Sequence, residues 1–463
     1  GSPVLKLGYC GTKYLTWTYC VSPELAVQAI NSGQVKRLEG ARYDENGRLL
    51  DFQIELAQRE HNADKADGVM IISDFAREGM NAVLGCGYSS VTVDAATFGR
   101  ASKTVMLGYS ATSPRLSNKE LYSYFVRLCT PDSAQAAVMT DVLAANDWHQ
   151  FAFLSTGDAF AQGLADHVAQ LENDRPELRL KGVYETIEAV VDTASKELRH
   201  GLWRPAVQRL VESGAKIWLI CATDELIGHV YHMLLEDFPF IFEAGYVRVS
   251  CETFLLKLGA VQAEATETGL STFGDFVIKP TTDSPVFDAF VEWYKGAGSQ
   301  PSGFCACPAA DVAAGKCSNP HQDYFANGDR TSGVYMDASF DAVFSFAQAS
   351  LNIMSRNSSM PVSEIKGAVL RDEIIGLEFE GATGSVSFDE NYDNFGSYLV
   401  SQIGDDYDTR PVWKWVGIGQ MEVTSPLRFK EFSGAKTASG APSDAPECSP
   451  GSMRKLVDRA LQC

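Results

Sequence analysis

The chain has 463 residues, 45% hydrophobic and 21% charged, with a formal net charge of -20. That length allows two or three domains with sizeable cores. The acidic balance excludes a nucleic-acid binder, which needs a basic footprint, and argues against docking on an anionic membrane. No run of about 18 apolar residues exists, so no bilayer-spanning segment is expected, and no secretory leader is read. Eleven cysteines suit an oxidising compartment, and their odd number leaves at least one outside any internal pairing. Asn357-Ser358-Ser359 is a glycosylation sequon.

In chain order, Val4 to Tyr9 reads as a strand. Pro23 to Ile30 follows as a helix, with Ser22 as N-cap and proline at the first helical position. Asp44 to Gly47 reads as a turn, Leu50 to Leu56 as an alternating strand and Ala66 to Met80 as a helix. Ala82–Gly85 and Thr104–Gly108 are short apolar strands around a helix from Ser90 to Ala101. Tyr124 to Leu128 leads into a helix from Ser133 to Asn146. Strands then follow at Gln150–Leu154, Leu178–Tyr184, Lys216–Cys221 and Val247–Ser250. Helices at Ala159–Leu171, Lys196–Ser213 and Glu225–Leu235 separate them. Such alternation predicts βαβ units and mostly parallel sheets, in a series too long for one sheet.

Residues 273–278 read as a connecting strand, and a helix follows Pro285. An irregular insert from Gly298 to Ser332 holds Cys305, Cys307 and Cys317. A long apolar helix, Val334 to Met354, and a shorter one, Ser363 to Leu370, precede strands at Gly384–Phe388, Gly396–Ile403 and Pro411–Val416. Lys436 to Pro446 has linker composition, and a Cys-bounded tail runs from Cys448 to Cys463.

The chemistry concentrates between Gly85 and Asp132. Ser89 and Ser90 follow one short strand, and Ser110, Ala111 and Thr112 follow the next. Hydroxyls and free backbone N–H groups at strand ends, beside helix starts, are where an open α/β sheet binds ligands. Taken alone, serines at such places are more often helix caps.

Other clusters have plain readings. Glu225, His229 and His232 share a helix face, but surface histidines are common and no general-base motif accompanies them. Cys305, Cys307, Cys317 and His321 could ligate zinc, though disulfides are the commoner use in an oxidising setting. Asp389 to Asp393 lacks the glycine and terminal glutamate of a calcium loop and reads as a surface hairpin. No nucleophile elbow, phosphate loop or paired-histidine motif occurs, so no enzyme, cofactor or metal is expected.

Tyr109-Ser110-Ala111-Thr112-Ser113, Leu116-Ser117-Asn118-Lys119, Tyr124-Phe125-Val126-Arg127 and Pro131-Asp132-Ser133-Ala134-Gln135-Ala136 resemble the extracellular ligand-binding domain of metabotropic glutamate receptors. More broadly, the chain is similar to class C receptors and the type 1 periplasmic-binding-protein superfamily. Trp148 with Gly157 to Gly163, Ser332 to Tyr335 with Asp341 to Phe344, Gly381 to Phe388 with Tyr398 to Val400, and Cys448 to Gly451 extend the likeness. The resemblance implies a two-lobed Venus flytrap α/β fold, each lobe a mostly parallel sheet flanked by helices. Lobe 1 is expected at 1–126 and 277–400, and lobe 2 at 127–276 and 401–432. A linker at 433–447 and the tail at 448–463 follow. Lobe closure on a ligand, dimers through lobe 1, a membrane-anchored full-length protein and an extracellular location come with it.

The resemblance also implies a site for an amino acid or related amine. Ser89, Ser90 and the Ser110–Thr112 backbone would hold its carboxylate, and Asp132 its ammonium, with help from Thr112. Phe160 falls where the family has a tyrosine, keeping a ring for a cation–π contact. Cys251, with Glu252 beside it, falls near the family's second-lobe aspartate, and as a residue it reads as a buried thiol. Tyr19 and the region of Met360 stand where glutamate receptors place basic residues, so a smaller, apolar or cationic ligand fits better than glutamate. The alternatives are a secreted or periplasmic solute-binding protein and a structural or assembly glycoprotein that kept the fold and lost the ligand.

Overall fold

The computed structural model describes residues 2–11, 17–33, 47, 51–188, 200–223, 226–281, 284–296, 335–404, 409–429, 455–457 and 460–462. The insert cysteines with His321, the 436–446 linker, and Cys448 and Cys463 lie outside them. Two compact units emerge: unit 1 is Gly1–Pro131 with Thr282–Gly396, and unit 2 is Asp132–Thr281 with Ser397–Cys463.

The chain begins in unit 1 with β1 (Val4–Gly11), α1 (Trp17–Asn31), β2 (Gln53–Glu60), α2 (Lys65–Arg77), β3 (Ala82–Gly85), α3 (Ser89–Ser102), β4 (Val105–Gly108) and β5 (Phe125–Arg127). Unit 2 follows with α4 (Asp132–Ala145), β6 (Gln150–Thr156), α5 (Ala159–Asp174), β7 (Lys181–Ile187), α6 (His200–Glu212) and β8 (Ile217–Cys221). It continues through α7 (Ile227–Asp237), β9 (Val247–Ser250), α8 (Leu258–Glu267) and β10 (Phe276–Pro280). The chain returns to unit 1 for α9 (Pro285–Gly296), α10 (Met336–Arg356), α11 (Gly367–Ile375), β11 (Phe379–Gly381) and β12 (Gly384–Val386). It ends its described course in unit 2 with β13 (Tyr398–Ile403), β14 (Thr409–Gly417) and β15 (Gln420–Val423), beyond which only short pieces near the C-terminus are described.

Unit 1 is a parallel sheet in the order β2-β1-β3-β4-β5. Strands β3, β4 and β5 are buried at every residue, which is why β3 and β4 read as unbroken apolar runs. Leu84, Leu107 and Val126 face one layer with α1 and α10. Val83, Met106 and Phe125 face the opposite layer with α2 and α3. Unit 2 holds the order β15-β14-β13-β10-β9-β8-β6-β7, parallel from β10 to β7 and antiparallel from β13 to β15. Here Phe153 and Leu219 pack toward α4 and α5, while Leu154 and Ile220 pack toward α6, α7 and α8.

In unit 1 the strand order reverses at β1, which has β2 on one side and β3 on the other. The corresponding reversal in unit 2 is at β6, between β7 and β8. Crevices outside such switch points are where doubly wound sheets take ligands. At the unit 1 reversal a Cys10–Cys86 disulfide joins the end of β1 to the residue after β3. Gly85 is obligatory there: its φ is +99°, and a Cβ would lie 2.1 Å from the Cys10 carbonyl oxygen.

Two expectations are corrected. Ser22 does not cap a helix, because α1 starts at Trp17 and Pro23 lies inside it. Ser22 is buried and donates to the Met336 carbonyl oxygen at 2.7 Å, tying α1 to the start of α10. The Asp389–Asp393 segment is not a purely surface hairpin. Asp393 is buried and receives Arg127 Nε and Nη2 at 2.9 and 2.8 Å.

Candidate functional site

In unit 1 the hydroxyl-bearing residues share the carboxyl edge of the sheet. Ser89 and Ser90 open α3, and Ser110, Ala111 and Thr112 follow β4. No side chain caps α3, whose N-cap position is Tyr88. Its first N–H groups therefore keep their partial positive charge available to an anion. Ser89 Oγ accepts the Ser113 N–H at 3.2 Å, and Ser110 Oγ donates to the Gly87 carbonyl at 2.8 Å. These bonds join the β3–α3 and β4–β5 connections into one surface. Ala111, Thr112 and Ser113 are buried, whereas Gly87, Ser90 and Ser110 are half-exposed.

A buried cation holds this surface from behind. Arg127 Nη1 donates to the carbonyls of Thr112 and Ser113, both at 2.8 Å, and to that of Ala111 at 3.4 Å. Its Nη2 reaches Ser117 Oγ at 2.5 Å, and Nε and Nη2 donate to Asp393. Arg127 is 0% exposed and Asp393 2%. A guanidinium with a carboxylate and this set of acceptors is a satisfied buried pair, and its fork fixes the turn of the Ser110–Thr112 segment. Arg127 was part of the family likeness but carried no role in the reading of the sequence. Nothing in its local sequence marks it as buried.

In unit 2 the carboxyl edge has different chemistry. Asp132 begins α4 and is fully buried. Phe160 lies in the first turn of α5, partly buried against the apolar core. Asp158 caps that helix, accepting the N–H groups of Phe160 and Ala161 at 3.0 Å and the Thr156 hydroxyl at 2.5 Å. Cys251 is a buried free thiol with Sγ 3.2 Å from Thr253 Oγ1, and Glu252 is 2% exposed. Cys221, ending β8, is a second buried free thiol, hydrogen-bonded to Cys251. Burial first, then Cys251 and the charges of Asp132 and Asp158, push its pKa well up. Asp132, Asp158, Cys221 and Cys251 therefore form one acidic, thiol-lined edge. The sequence reading missed Asp158 and Cys221, although Asp158 two residues before Phe160 carries an N-cap signal.

Other candidates fall elsewhere. Met360 packs against the unit 1 core after α10. Tyr19 lies in α1, its side chain outside the described residues. His232 Nδ1 pairs with Glu264 at 2.5 Å, and Glu225 lies outside the described residues. Among the described residues no cluster of His, Cys, Asp and Glu has the makings of a metal site.

Comparison with known proteins places this geometry in a family. A human protein, metabotropic glutamate receptor 8, is 26% identical over 152 residues, covering 33% of this chain and 16% of the receptor. Rat metabotropic glutamate receptor 6 is 28% identical over 107 residues, 23% of this chain and 12% of the receptor. Leu/Ile/Val-binding protein homolog 2 of Brucella abortus (strain 2308) is 24% identical over 288 residues, 61% of this chain and 72% of that protein. The matched part of this chain thus spans a small fraction of the receptors. These relatives are named as receptors and a binding protein, not as enzymes. The family described as "Receptor family ligand binding region" matches residues 42–406. The chain belongs to that family, and it is a ligand-binding domain with the two-lobed α/β fold of class C receptors and type 1 periplasmic binding proteins.

Proposed function

We propose that the chain binds a small α-amino acid, or a related amine, and reports it by closure of its two lobes. The supporting observation is the contrast between the two strand-end surfaces. Unit 1 offers an uncapped helix N-terminus and hydroxyls, the environment a carboxylate needs. Unit 2 offers buried acids at Asp132 and Glu252, the environment an ammonium needs. Ser89, Ser90, Ser110, Ala111 and Thr112 take the carboxylate. Asp132 and Glu252 take the ammonium, with the Phe160 ring and Cys251 lining that end. The kinship with a protein named for leucine, isoleucine and valine favours an apolar side chain. So does the placement of Met360 and Tyr19 where the family's glutamate receptors carry basic residues.

On this reading the full-length protein is a membrane-anchored extracellular receptor that pairs through lobe 1. Asn357 is exposed, as a glycosylation site would need to be. A second reading, a secreted solute-binding protein, draws on the 72% coverage of the Brucella protein.

Thermal-shift screening against the twenty standard L-amino acids and common amines tests the proposal. A ligand at about 100 times its Kd adds about 2.7 kcal/mol to the folded state and raises Tm. Asp132→Ala, or Ser110→Ala with Thr112→Ala, removes that shift while the protein stays folded. A protein that answers to none of these compounds has kept the fold without the site.

A further inference from the structure

One buried ring at the unit 1 switch point has a nitrogen without a hydrogen-bond partner. His61 follows β2, and its N–H donates to the carbonyl of Gly11, at the end of β1, at 3.0 Å. Its ring is 0% exposed and lies edge-on to Tyr88, with centroids 5.8 Å apart. Asn62 and Ala63 follow in left-handed conformations, φ +48° and +57°. That turn brings the Ala63 N–H back onto His61 Nδ1 at 3.1 Å. A backbone N–H can only donate, so Nδ1 is the unprotonated nitrogen and the neutral ring carries its proton on Nε2. Nε2 is buried and has no hydrogen-bond partner.

Its surroundings show what it faces. A Cβ added to Gly87 would lie 3.2 Å from Tyr109 Oη, 3.7 Å from Ser110 Oγ and 3.9 Å from His61 Nε2. Three polar atoms thus converge on one point, beside the start of α3. The Tyr109 hydroxyl donates to Tyr9 Oη at 3.2 Å, and the Ser110 hydroxyl to Gly87. Both hydroxyls have their protons committed, and the Nε2–H does not. Gly87 is not held in a left-handed conformation, so its lack of a side chain serves space rather than backbone. Burial lowers the His61 pKa to about 4, against a hydrogen bond to its own backbone and then the charge of Asp67, so the ring stays neutral at physiological pH.

We infer that His61 is a specificity-determining residue of the unit 1 surface, its Nε2–H donating to the anionic group of the ligand, directly or through one water. The inference rests on the amino-acid reading above and deepens it. The ligand must present a carboxylate at this end, and an amide or ester in its place loses the charge that makes the bond strong.

The test uses the whole chain with its histidines labelled with 15N, of which there are seven. His61→Gln assigns the His61 signals. In the free protein the His61 ring shows the Nε2–H tautomer. On addition of the twenty standard L-amino acids as a mixture, that proton shifts and its exchange with solvent slows. For whichever of those amino acids binds, His61→Phe weakens affinity roughly tenfold to a hundredfold, the range for a hydrogen bond to a charged group. His61→Gln, whose amide N–H reaches the same place, stays within a few-fold of wild type, and the amino-acid amide is indifferent to both changes. The Nδ1–H tautomer overturns the inference even if His61→Phe does not fold. Binding that Ser110→Ala with Thr112→Ala destroys, but that ignores both His61 variants, overturns the inference and leaves the amino-acid reading standing. A wild-type protein that binds none of the mixture overturns both.

Discussion

The two units are built alike and finished differently. Each is a mostly parallel sheet between helical layers, with a reversal of strand order and a buried Arg–Asp pair. In unit 1, α3 after β3 begins without a side-chain cap, as does α7 after the corresponding strand β8 of unit 2, whereas α5, after the unit 2 switch strand β6, is capped by Asp158. A carboxylate of the protein thus occupies the α5 terminus, whereas no side chain caps α3. The buried pairs differ too. Arg127 grips the Ala111–Ser113 carbonyls behind the candidate site. Arg248 instead binds Asp275 and the Ile241 carbonyl, at the opposite end of its sheet from Cys221 and Cys251. The same device, a buried Arg–Asp pair, thus holds the Ser110–Thr112 turn in one unit and the Ile241 carbonyl in the other.

The sharpest way to break that comparison is to remove each arginine. Arg127→Met and Arg248→Met should each cost about 3–5 kcal/mol in urea unfolding, because each strands a buried carboxylate. At low temperature, where both remain partly folded, only Arg127→Met should also lower affinity for an amino-acid ligand measured by calorimetry. Equal loss of binding from both would show that Arg127 has no special hold on the site.

The next effect is internal to unit 1 and concerns pH. His61, lowered from 6.5 to about 4, leaves the unfolded chain binding more protons within that window, so its contribution makes stability rise with pH. Asp337 in α10 is raised from 3.8 to about 7, by burial first and then by Asp341, and makes stability fall with pH over nearly the same window. The two slopes oppose one another over that window. His61→Gln should tilt the curve downward with rising pH and Asp337→Asn upward, each by on the order of 3 kcal/mol across the window. Matching tilts in both variants would refute the assigned protonation states.

The smallest effects come from the caps. Asp158→Ala should cost about 1 kcal/mol of stability. Tyr88→Asp, at a position whose φ of -91° and ψ of 137° suit a cap, should make α3 resemble α5. It should stabilise the protein by up to about 1 kcal/mol and compete with the ligand carboxylate, so that a thermal shift with the bound amino acid shrinks. A stabilised variant that still binds normally would remove the α3 terminus from the site.

Much of the architecture was legible because parallel strands buried on both faces leave unbroken apolar runs. Val247–Ser250 was read at its exact bounds for that reason. Strand β2 was not, being an edge strand whose later residues are only partly buried. Its expected end at Leu56 falls short of His61, so the sequence alone does not bring that ring to the sheet edge. The start of α1 was misplaced because Ser22-Pro23 imitates a helix start, whereas Ser22 in fact bonds to a residue 314 positions away. Asp393 sits in a run of polar residues that looks like a solvated turn, and only its pairing with Arg127, 266 positions away, explains its burial.

Local pattern was enough for the alternation of strands and helices, the short apolar strands and the hydroxyls that follow them, because these depend on periodicity and on neighbours close in the chain. Tertiary structure alone decided which strand ends meet at each reversal and which cation holds the Ser110–Thr112 turn. It also decided which imidazole nitrogen is buried without a hydrogen-bond partner. Those facts depend on contacts between distant residues, and burial then sets the charge and hydrogen bonding of each group.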